Sequence, residues 1–527
     1  MKKNLVILFF FLLNSFWVIQ DNTLPAIGDD ARWLSETANL TQIVQSGDSQ
    51  AVFDKWQNMF IKDTNSFPRT PLFTALSVPS FLIFGVNENV AIITNVFVLA
   101  ITSLLLVFFV EELFKNNSNK SKISLFSILI FNLMAGTYGL SRLYMSEILQ
   151  TAFVILISFI YLKNKDKFSY KSYLLLGFLW GLAFLLRFLM PMYLIIPSLF
   201  FLKWQLNQKK KFYEYALAII VFAIPFLLTT LTWYGQNLTT YIEFTKYTSS
   251  GELAEITSLG PVYSPITWFK YWKVIGLWHF GLPILLMGGV SLIINYFKTS
   301  KIKLLFAFKE LNFLILSFLP AFILTTLSVN KTARYFYPVE FFIVVIIAYL
   351  VFQVWANKSK VFKLFVLFLF ALSFYPFIDS IIKVLPNIPY TNFMYSSSEY
   401  QSIDIDEQKY SFIIEELKKY PYLEKDEVYF VAETPELNDA QILWYASQKG
   451  EEIKTIGEFS LYTTLDEGKA KIDKADIVIL HVGLSFDEKY LQKYLDALEY
   501  VKSNPSFELV SNKEYTDSSS ILIFKRK

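Results

Sequence analysis

Residues 172–202 read SYLLLGFLWGLAFLLRFLMPMYLIIPSLFFL, and the number of times this stretch crosses a membrane sets the side of every segment after it. A spanning helix takes about 20 apolar residues. The stretch is too long for one upright helix, and Arg187 and Pro191 interrupt it near its middle. Charge decides between one crossing and two. With two, the segments on the amino-terminal side are 2–3, 115–122, 163–171, 203–211, 298–309 and 358–363, which hold twenty lysines and no arginine. With one, Lys209, Lys210 and Lys211 move to the opposite side. The positive-inside rule favours two crossings and puts the N-terminus in the cytoplasm.

Working outward, apolar segments recur at 5–19, 90–110, 123–140, 148–162, 173–186, 190–202, 215–234, 274–296, 311–327, 339–355 and 364–378. The expectation is a mostly α polytopic membrane protein with about eleven transmembrane helices. Composition agrees: of 527 residues 54% are hydrophobic and 18% charged, with 53 phenylalanines and a mean hydropathy of +0.40. Soluble domains carry roughly 25% charged residues, so ordinary soluble, fibrous and disordered classes are excluded. Cysteine is absent, which excludes disulfides and thiol chemistry. The first segment has the basic start and apolar middle of a signal peptide, but Phe16-Trp17-Val18-Ile19-Gln20 lacks the small residues of a cleavage site. It reads as a retained span.

The formal charge of +3 hides a division. Residues 383–527 contain 17 basic and 26 acidic residues, and residues 1–382 contain 31 basic and 19 acidic ones. Beyond Pro389 charged amphipathic helices (408–419, 488–501) alternate with short apolar strands (428–431, 477–481, 521–524). This predicts a small extracytoplasmic α/β domain at 381–527, following a membrane domain at 1–380 that includes an outer loop at 21–85. There is no glycine-rich phosphate loop and no metal-ligand spacing in the C-terminal part. His481, at a strand end, reads as structural. Gly177 and Gly181 form a G-x-x-x-G pair suited to helix packing.

Arginine is the informative residue type. There are six, Arg32, Arg69, Arg142, Arg187, Arg334 and Arg526, against 42 lysines. The first five fall on or near the outer face in this topology. Guanidinium is a planar fork suited to bidentate phosphate contact, so an outer site for a phosphorylated ligand is one reading; snorkelling and loop ion pairs are the other. Carboxylates mark the same face. Asp29 and Asp30 follow the first span closely, and Glu147 opens the fourth. Acids at helix ends near lipid are costly unless paired or useful. Two from separate segments could activate a hydroxyl and hold a cation, whereas an aspartate at 29 or 30 also suits an N-cap for a helix starting at Ala31. Trp268, Tyr271, Trp272 and Trp278 form an interfacial aromatic belt with His279 among them, a candidate substrate contact as well as an ordinary interfacial histidine.

The ordered motifs resemble a known family. Asp29-Asp30-Ala31-Arg32-Trp33 is similar to the acidic outer segment of GT-C glycosyltransferases of the protein O-mannosyltransferase and lipid A aminoarabinose transferase type, with Asp30 where glutamate is common. Pro68-Arg69-Thr70-Pro71-Leu72 resembles their P-P-L element, though Arg69-Thr70 separates the prolines. Glu147, at the end of an outer loop, occupies the place of a second acidic residue. Gly177–Arg187 resembles a G-L-x-x-G-L-A helix ending in a basic residue, and Arg334-Tyr335-Phe336-Tyr337-Pro338 an R-Y-x-x-P opening. The resemblance implies a sugar transferred from a polyprenyl-phosphate donor to a protein, lipid or glycan acceptor on the outer face. It implies Asp29 and Asp30 with Glu147 in catalysis, and Arg69, Arg142, Arg187, Lys331, Arg334, Tyr335 and His279 as donor-phosphate or substrate contacts. A divalent cation (Mg or Mn) on Asp29 and Glu147 is a candidate cofactor. Membrane lipid and the lipid-linked donor are the expected partners. The rival class is a transporter or flippase of a lipid-linked or anionic substrate, which should show charges deep in several spans and broken helices paired across an internal repeat; the sequence has no repeat. A sensor anchored by its helices is a further alternative, for which eleven crossings are excessive.

Overall fold

The computed structural model describes residues 2–20, 28–58, 70–251, 254, 258–299, 309–357, 360–382, 407–419, 427–431, 438–449, 451, 453, 455–459, 463–483 and 488–527. The chain separates into two compact units. One comprises Met1–Asn22, Thr70–Phe73 and Ile92–Gln401, and the other Thr23–Arg69, Thr74–Ala91 and Ser402–Lys527. Most of the outer loop, expected to go with the membrane domain, thus groups with the C-terminal residues.

The first unit is helical: α1 (Lys2–Gln20), the greater part of α5 (Glu88–Leu113), α6 (Lys120–Leu133), α7 (Ala135–Ser141), α8 (Glu147–Lys163), α9 (Tyr170–Leu186), α10 (Met190–Leu206), α11 (Phe212–Ser250), α12 (Pro265–Val274), α13 (Leu282–Thr299), α14 (Lys309–Leu327), α15 (Glu340–Asn357) and α16 (Lys360–Ile382). Nine of the eleven apolar segments lie within unbroken helical runs, and 123–140 and 274–296 are helical on either side of a break. Six helices among the described residues are long and apolar enough to cross a membrane, or eight if each of two bent pairs is one crossing, so the chain is a multi-pass membrane protein. The three others, α8, α9 and α10, have 17 residues each. At 1.5 Å per residue they reach about 25 Å, slightly under the roughly 30 Å hydrocarbon thickness.

Two expected spans are not straight. Residues 123–140 bend by 63° between α6 and α7, and 274–296 bend by 103°. The second break follows a π-helical turn, Ile275–Phe280, and falls at Gly281, whose φ of 78° disfavours residues carrying a Cβ. The apolar run through both breaks is continuous, so hydropathy gave no sign of them. Helix packing uses the G-x-x-x-G pair. A Cβ at Gly177 would collide with the carbonyl oxygen of Phe222 on α11, and one at Gly181 would lie 2.7 Å from Thr229 Cβ. Away from this contact α11 exposes Leu217, Ile219, Ile220, Ile224, Leu227, Leu228 and Leu231, an apolar surface suited to lipid.

The second unit holds α2 (Gly28–Ser46), α3 (Ser49–Asn58), most of α4 (Leu72–Phe84), and then α17 (Glu407–Lys419), β1 (Val428–Val431), α18 (Asp439–Gln448), β2 (Thr455–Glu458), α19 (Leu465–Ile472), β3 (Ile477–Val482), α20 (Glu488–Ser503), β4 (Phe507–Glu514) and β5 (Ser520–Arg526). The sheet order is β2-β1-β3-β5-β4. β1 pairs in parallel with β2 and β3, and β5 runs antiparallel to β3 and β4. Alternate residues feed two cores. Val428, Phe430, Ile477 and Ile479 meet α17 and α18 through Ile413, Leu417 and Ile442. Tyr429, Val431, Val478 and Leu480 meet α20 through Tyr494, Ala497 and Val501. A sheet covered on both faces explains strands that are apolar throughout, not alternating. α19 opens with a capping box between Thr464 and Glu467, and these hydrogen bonds hold the Glu467 carboxyl below its usual range.

Candidate active site

Three chain breaks in the first unit place one acid between two arginines. Glu147 is the first residue of α8, where the helix dipole suits a carboxylate. Arg187 stands in extended backbone at the break between α9 and α10 (φ −164°, ψ 135°). α10 restarts with Pro191 in its first turn, a position that needs no backbone donor. Arg334 lies in a one-turn 3₁₀ segment, Ala333–Tyr335. Arg187 Nη1 donates to Glu147 Oε1 at 3.1 Å, and Arg334 Nε is 3.8 Å from the same oxygen. The Glu147 side chain is 2% exposed and the two arginines 21% and 22%. The acid is thus at the bottom, and the guanidinium groups reach toward the surface. Glu147 Oε2 has no hydrogen-bond partner among the described residues.

Neighbours fix the arginines. The Arg187 guanidinium carbon lies 4.9 Å from the Tyr335 ring centre and that of Arg334 6.0 Å from it, a cation–π arrangement. Tyr193 donates its hydroxyl to the Tyr335 carbonyl at 2.7 Å, tying α10 to the Arg334 turn. Thr70 donates to the Leu186 carbonyl at 2.7 Å, anchoring the residue just before Arg187. Arg334 Nη1 is 3.1 Å from Met145 Sδ. Two guanidinium groups against one carboxylate leave a net positive, partly exposed cluster of the kind that takes up an anionic oxygen. Tyr193 and Met145 had no sequence signal beyond their proximity to motif residues, and Thr70 was noted only for separating two prolines.

The other expected site residues are distributed differently. Arg142 is 4% exposed and does not join the cluster. Its Nε donates to Asn14 Oδ1 at 3.0 Å and its Nη1 to Ser380 Oγ at 2.7 Å. Its guanidinium sits 4.9, 5.0 and 5.5 Å from the rings of Trp17, Tyr138 and Phe377. It therefore bridges α1, α7 and α16, with a set of partners that a phosphate contact would have to displace. Lys331, also buried, donates to the carbonyls of Thr325 and Thr326 at 3.3 and 2.5 Å. It caps the end of α14, and burial lowers its pKa. His279 Nδ1 is 2.5 Å from Glu340 Oε1, with both side chains fully buried, so it is enclosed within the helices and not set in an exposed aromatic belt. Asp29 and Asp30 occupy the first turn of α2. Their side chains, and Arg69 entirely, lie outside the described residues.

The described residues contain no cluster of three or more His, Asp or Glu side chains suited to a metal. At Glu147 a divalent ion would have to share the carboxylate with two guanidinium groups of like charge. The residues present there do not fit a resident cation.

Residues 68–232 match the family model of the dolichyl-phosphate-mannose-protein mannosyltransferases. No curated protein sequence matches the chain. Among solved structures, ArnT from Cupriavidus metallidurans bound to undecaprenyl phosphate aligns with a TM-score of 0.55 at 10% identity, over 98% of this chain and 97% of that one. The apo form of the same protein aligns at 0.52 and 11%. The arabinofuranosyltransferase AftD from Mycobacteria aligns at 0.52 and 10%, over 96% of this chain and 40% of that one. The chain has the membrane fold of the GT-C superfamily.

Proposed function

From a chain with the GT-C membrane fold as premise, we propose that this protein is a glycosyltransferase that takes a sugar from a polyprenyl-phosphate donor and transfers it to a hydroxyl or amine on the outer face of the membrane. The observation that carries the proposal is the Glu147–Arg187–Arg334 cluster, standing in a fold shared over nearly its whole length with a protein solved with undecaprenyl phosphate. In this reading the acceptor heteroatom bonds to the anomeric carbon as the bond from that carbon to the phosphate oxygen breaks. The electron pair stays on the phosphate, where Arg187 and Arg334 neutralise the developing charge. Glu147 holds both guanidinium groups in register, a change from the role of base or metal ligand expected of it. The acceptor proton passes to Asp29 or Asp30, as the family resemblance implies.

A transporter is the second reading because two of its expected signs are present. Two spans are bent, and the His279–Glu340 pair is buried among the helices. The near-complete alignment with ArnT favours transfer, and the sequence shows no repeat across which the bends would pair. Purified protein in lipid vesicles, given a lipid-linked sugar and an extract of acceptors, should release free polyprenyl phosphate. Passage of the intact lipid-linked sugar across the bilayer without release would establish the transporter. Orientation is tested with fusions. A reporter after Tyr296 should read cytoplasm and one after Lys527 exterior, and an exterior signal at Tyr296 would remove the two-crossing reading of 172–202.

A further inference from the structure

Residues 407–527 supply no group to the chemistry just proposed, yet one of their helices packs on α2, whose first turn carries the acid pair. α2 is a poor helix to stand alone: it carries Gly28, Ser35, Asn39 and three threonines or serines more, residues of low helix propensity. Its order comes from packing. Ala31, Leu34, Ala38 and Thr41 are fully or almost fully buried along one face, and Trp33, Thr37 and Leu40 along the adjoining one. The surface that α2 lies on is α18 of the α/β fold. α18 is itself fixed at its start: Asn438 accepts from the Gln441 backbone N–H at 3.0 Å, and Tyr410 donates to the Gln441 side chain. Along α18, Trp444 is fully buried and faces Phe81 of α4, with ring centres 6.5 Å apart.

An ion pair joins α2 to α18. Arg32 Nη2 donates to Asp439 Oδ1 at 3.2 Å, with side chains 15% and 7% exposed. A pair this sheltered is screened far less than a surface one. Its place on α2 matters: Arg32 is two residues beyond Asp30 and three beyond Asp29, within the same helical turn. Apolar burial at Ala31, Leu34 and Ala38 runs along the helix, and the Arg32–Asp439 pair adds a charged tie in the turn that carries the acids.

We infer that Asp439, in the C-terminal α/β fold, is a positioning residue for the acid-bearing turn of α2. The inference rests on the transferase reading for its kinetic part only. A misplacement of about 1 Å in a reacting group costs about a hundredfold in rate, so a turn freed to move should lower turnover while leaving donor binding intact.

The natural chain has no cysteine, so a single introduced thiol reports α2 docking without interference. Ala38→Cys places it on the buried face of α2, and maleimide labelling of the full-length protein measures how often that face opens. In this background Asp439→Asn should raise the labelling rate and lower turnover, each by about tenfold, with the KM for the lipid-linked donor held within about twofold. The exchange of partners, Arg32→Asp with Asp439→Arg, should restore both readings. Unchanged labelling in Asp439→Asn overturns the hold of Asp439 on α2. Faster labelling with undiminished turnover overturns the positioning role. Should the Ala38→Cys protein release no polyprenyl phosphate while the cysteine-free parent does, the thiol moves to Leu34 and the comparison is repeated. If the parent itself releases none, the transferase reading fails, and the labelling result still decides whether Asp439 holds α2.

Discussion

Arg142 and the Arg187–Arg334 pair are drawn from the same scarce residue type and lie in the same helical unit, yet their surroundings are opposite. Arg142 is enclosed by three aromatic rings and donates to an asparagine and a serine. Arg187 and Arg334 converge on one buried carboxylate and keep about a fifth of their side-chain surface open. The first environment is that of a clasp between helices, since its partners come from three of them. The second is that of a binding group, with its charge directed outward and its base held from below. Rarity marks a residue as worth attention; its partners decide what it does.

The two environments separate most sharply when the shared carboxylate is removed. Glu147→Gln leaves two guanidinium groups facing each other without a counter-charge, and breaking a buried ion pair costs about 3–5 kcal/mol. Turnover per folded molecule should fall by about a hundredfold or more, and Arg142 contacts should be untouched. Near-normal release of polyprenyl phosphate by Glu147→Gln would dissolve the distinction between the two environments.

Exchange of arginine for lysine is a milder cut along the same line. Arg334→Lys keeps the charge and loses the two-pronged donor. Hydrogen bonds with charged partners contribute about 1.5–3 kcal/mol, so donor use should drop about tenfold or more with little change in thermal stability. Arg142→Lys should do the reverse: a melting temperature lower by several degrees, because one compact ammonium cannot span Asn14, Ser380 and three rings, and activity per folded molecule within about threefold. A tenfold activity loss in Arg142→Lys at unchanged stability would return Arg142 to the donor site.

Much of this was legible beforehand, unevenly so. Hydropathy located the apolar helical segments, six of them single helices long enough to span, because lipid imposes one rule on every spanning residue. It did not locate the bends at Met134 and Gly281, which turn the chain without interrupting apolarity. Asn14 was the available sign of Arg142's true partner: a lone amide in an apolar first span, now buried and paired. The strands β1, β3 and β5 stood out as short apolar runs, whereas β2 (TIGE) and β4 (FELVSNKE) lie at the sheet edges and are too polar to announce themselves. Glu147, Arg187 and Arg334 were each visible. That they meet was not, because the first and the last are 187 positions apart.

Helix contact gives a smaller effect with a clean cause. Gly177→Ala puts a methyl group against the Phe222 carbonyl, and overpacking of this kind costs about 1–3 kcal/mol. Thermal unfolding of the purified protein should begin several degrees earlier, with activity per folded molecule unchanged; an unaltered unfolding temperature would mean that α9 and α11 are not in close contact.

The two histidines repeat the lesson of the arginines at the smallest scale. His279 is paired with Glu340. His481 is 1% exposed, with no hydrogen-bond partner for either ring nitrogen among the described residues. Burial, reinforced by Lys409 and opposed by Asp517, pushes its pKa down to about 4. An unfolded chain takes up that proton near pH 6.5, so below pH 6.5 the unfolded state binds more protons than the folded one and stability falls until the pH approaches 4. From pH 7 to pH 5.5 the loss is about 1 kcal/mol, a window in which few carboxylates titrate. His481→Leu should flatten this part of the pH profile of thermal unfolding for the C-terminal unit, at no loss of stability at pH 7. A variant that loses as much stability as the parent between the two pH values would show that His481 is already protonated, or already partnered, in the folded protein.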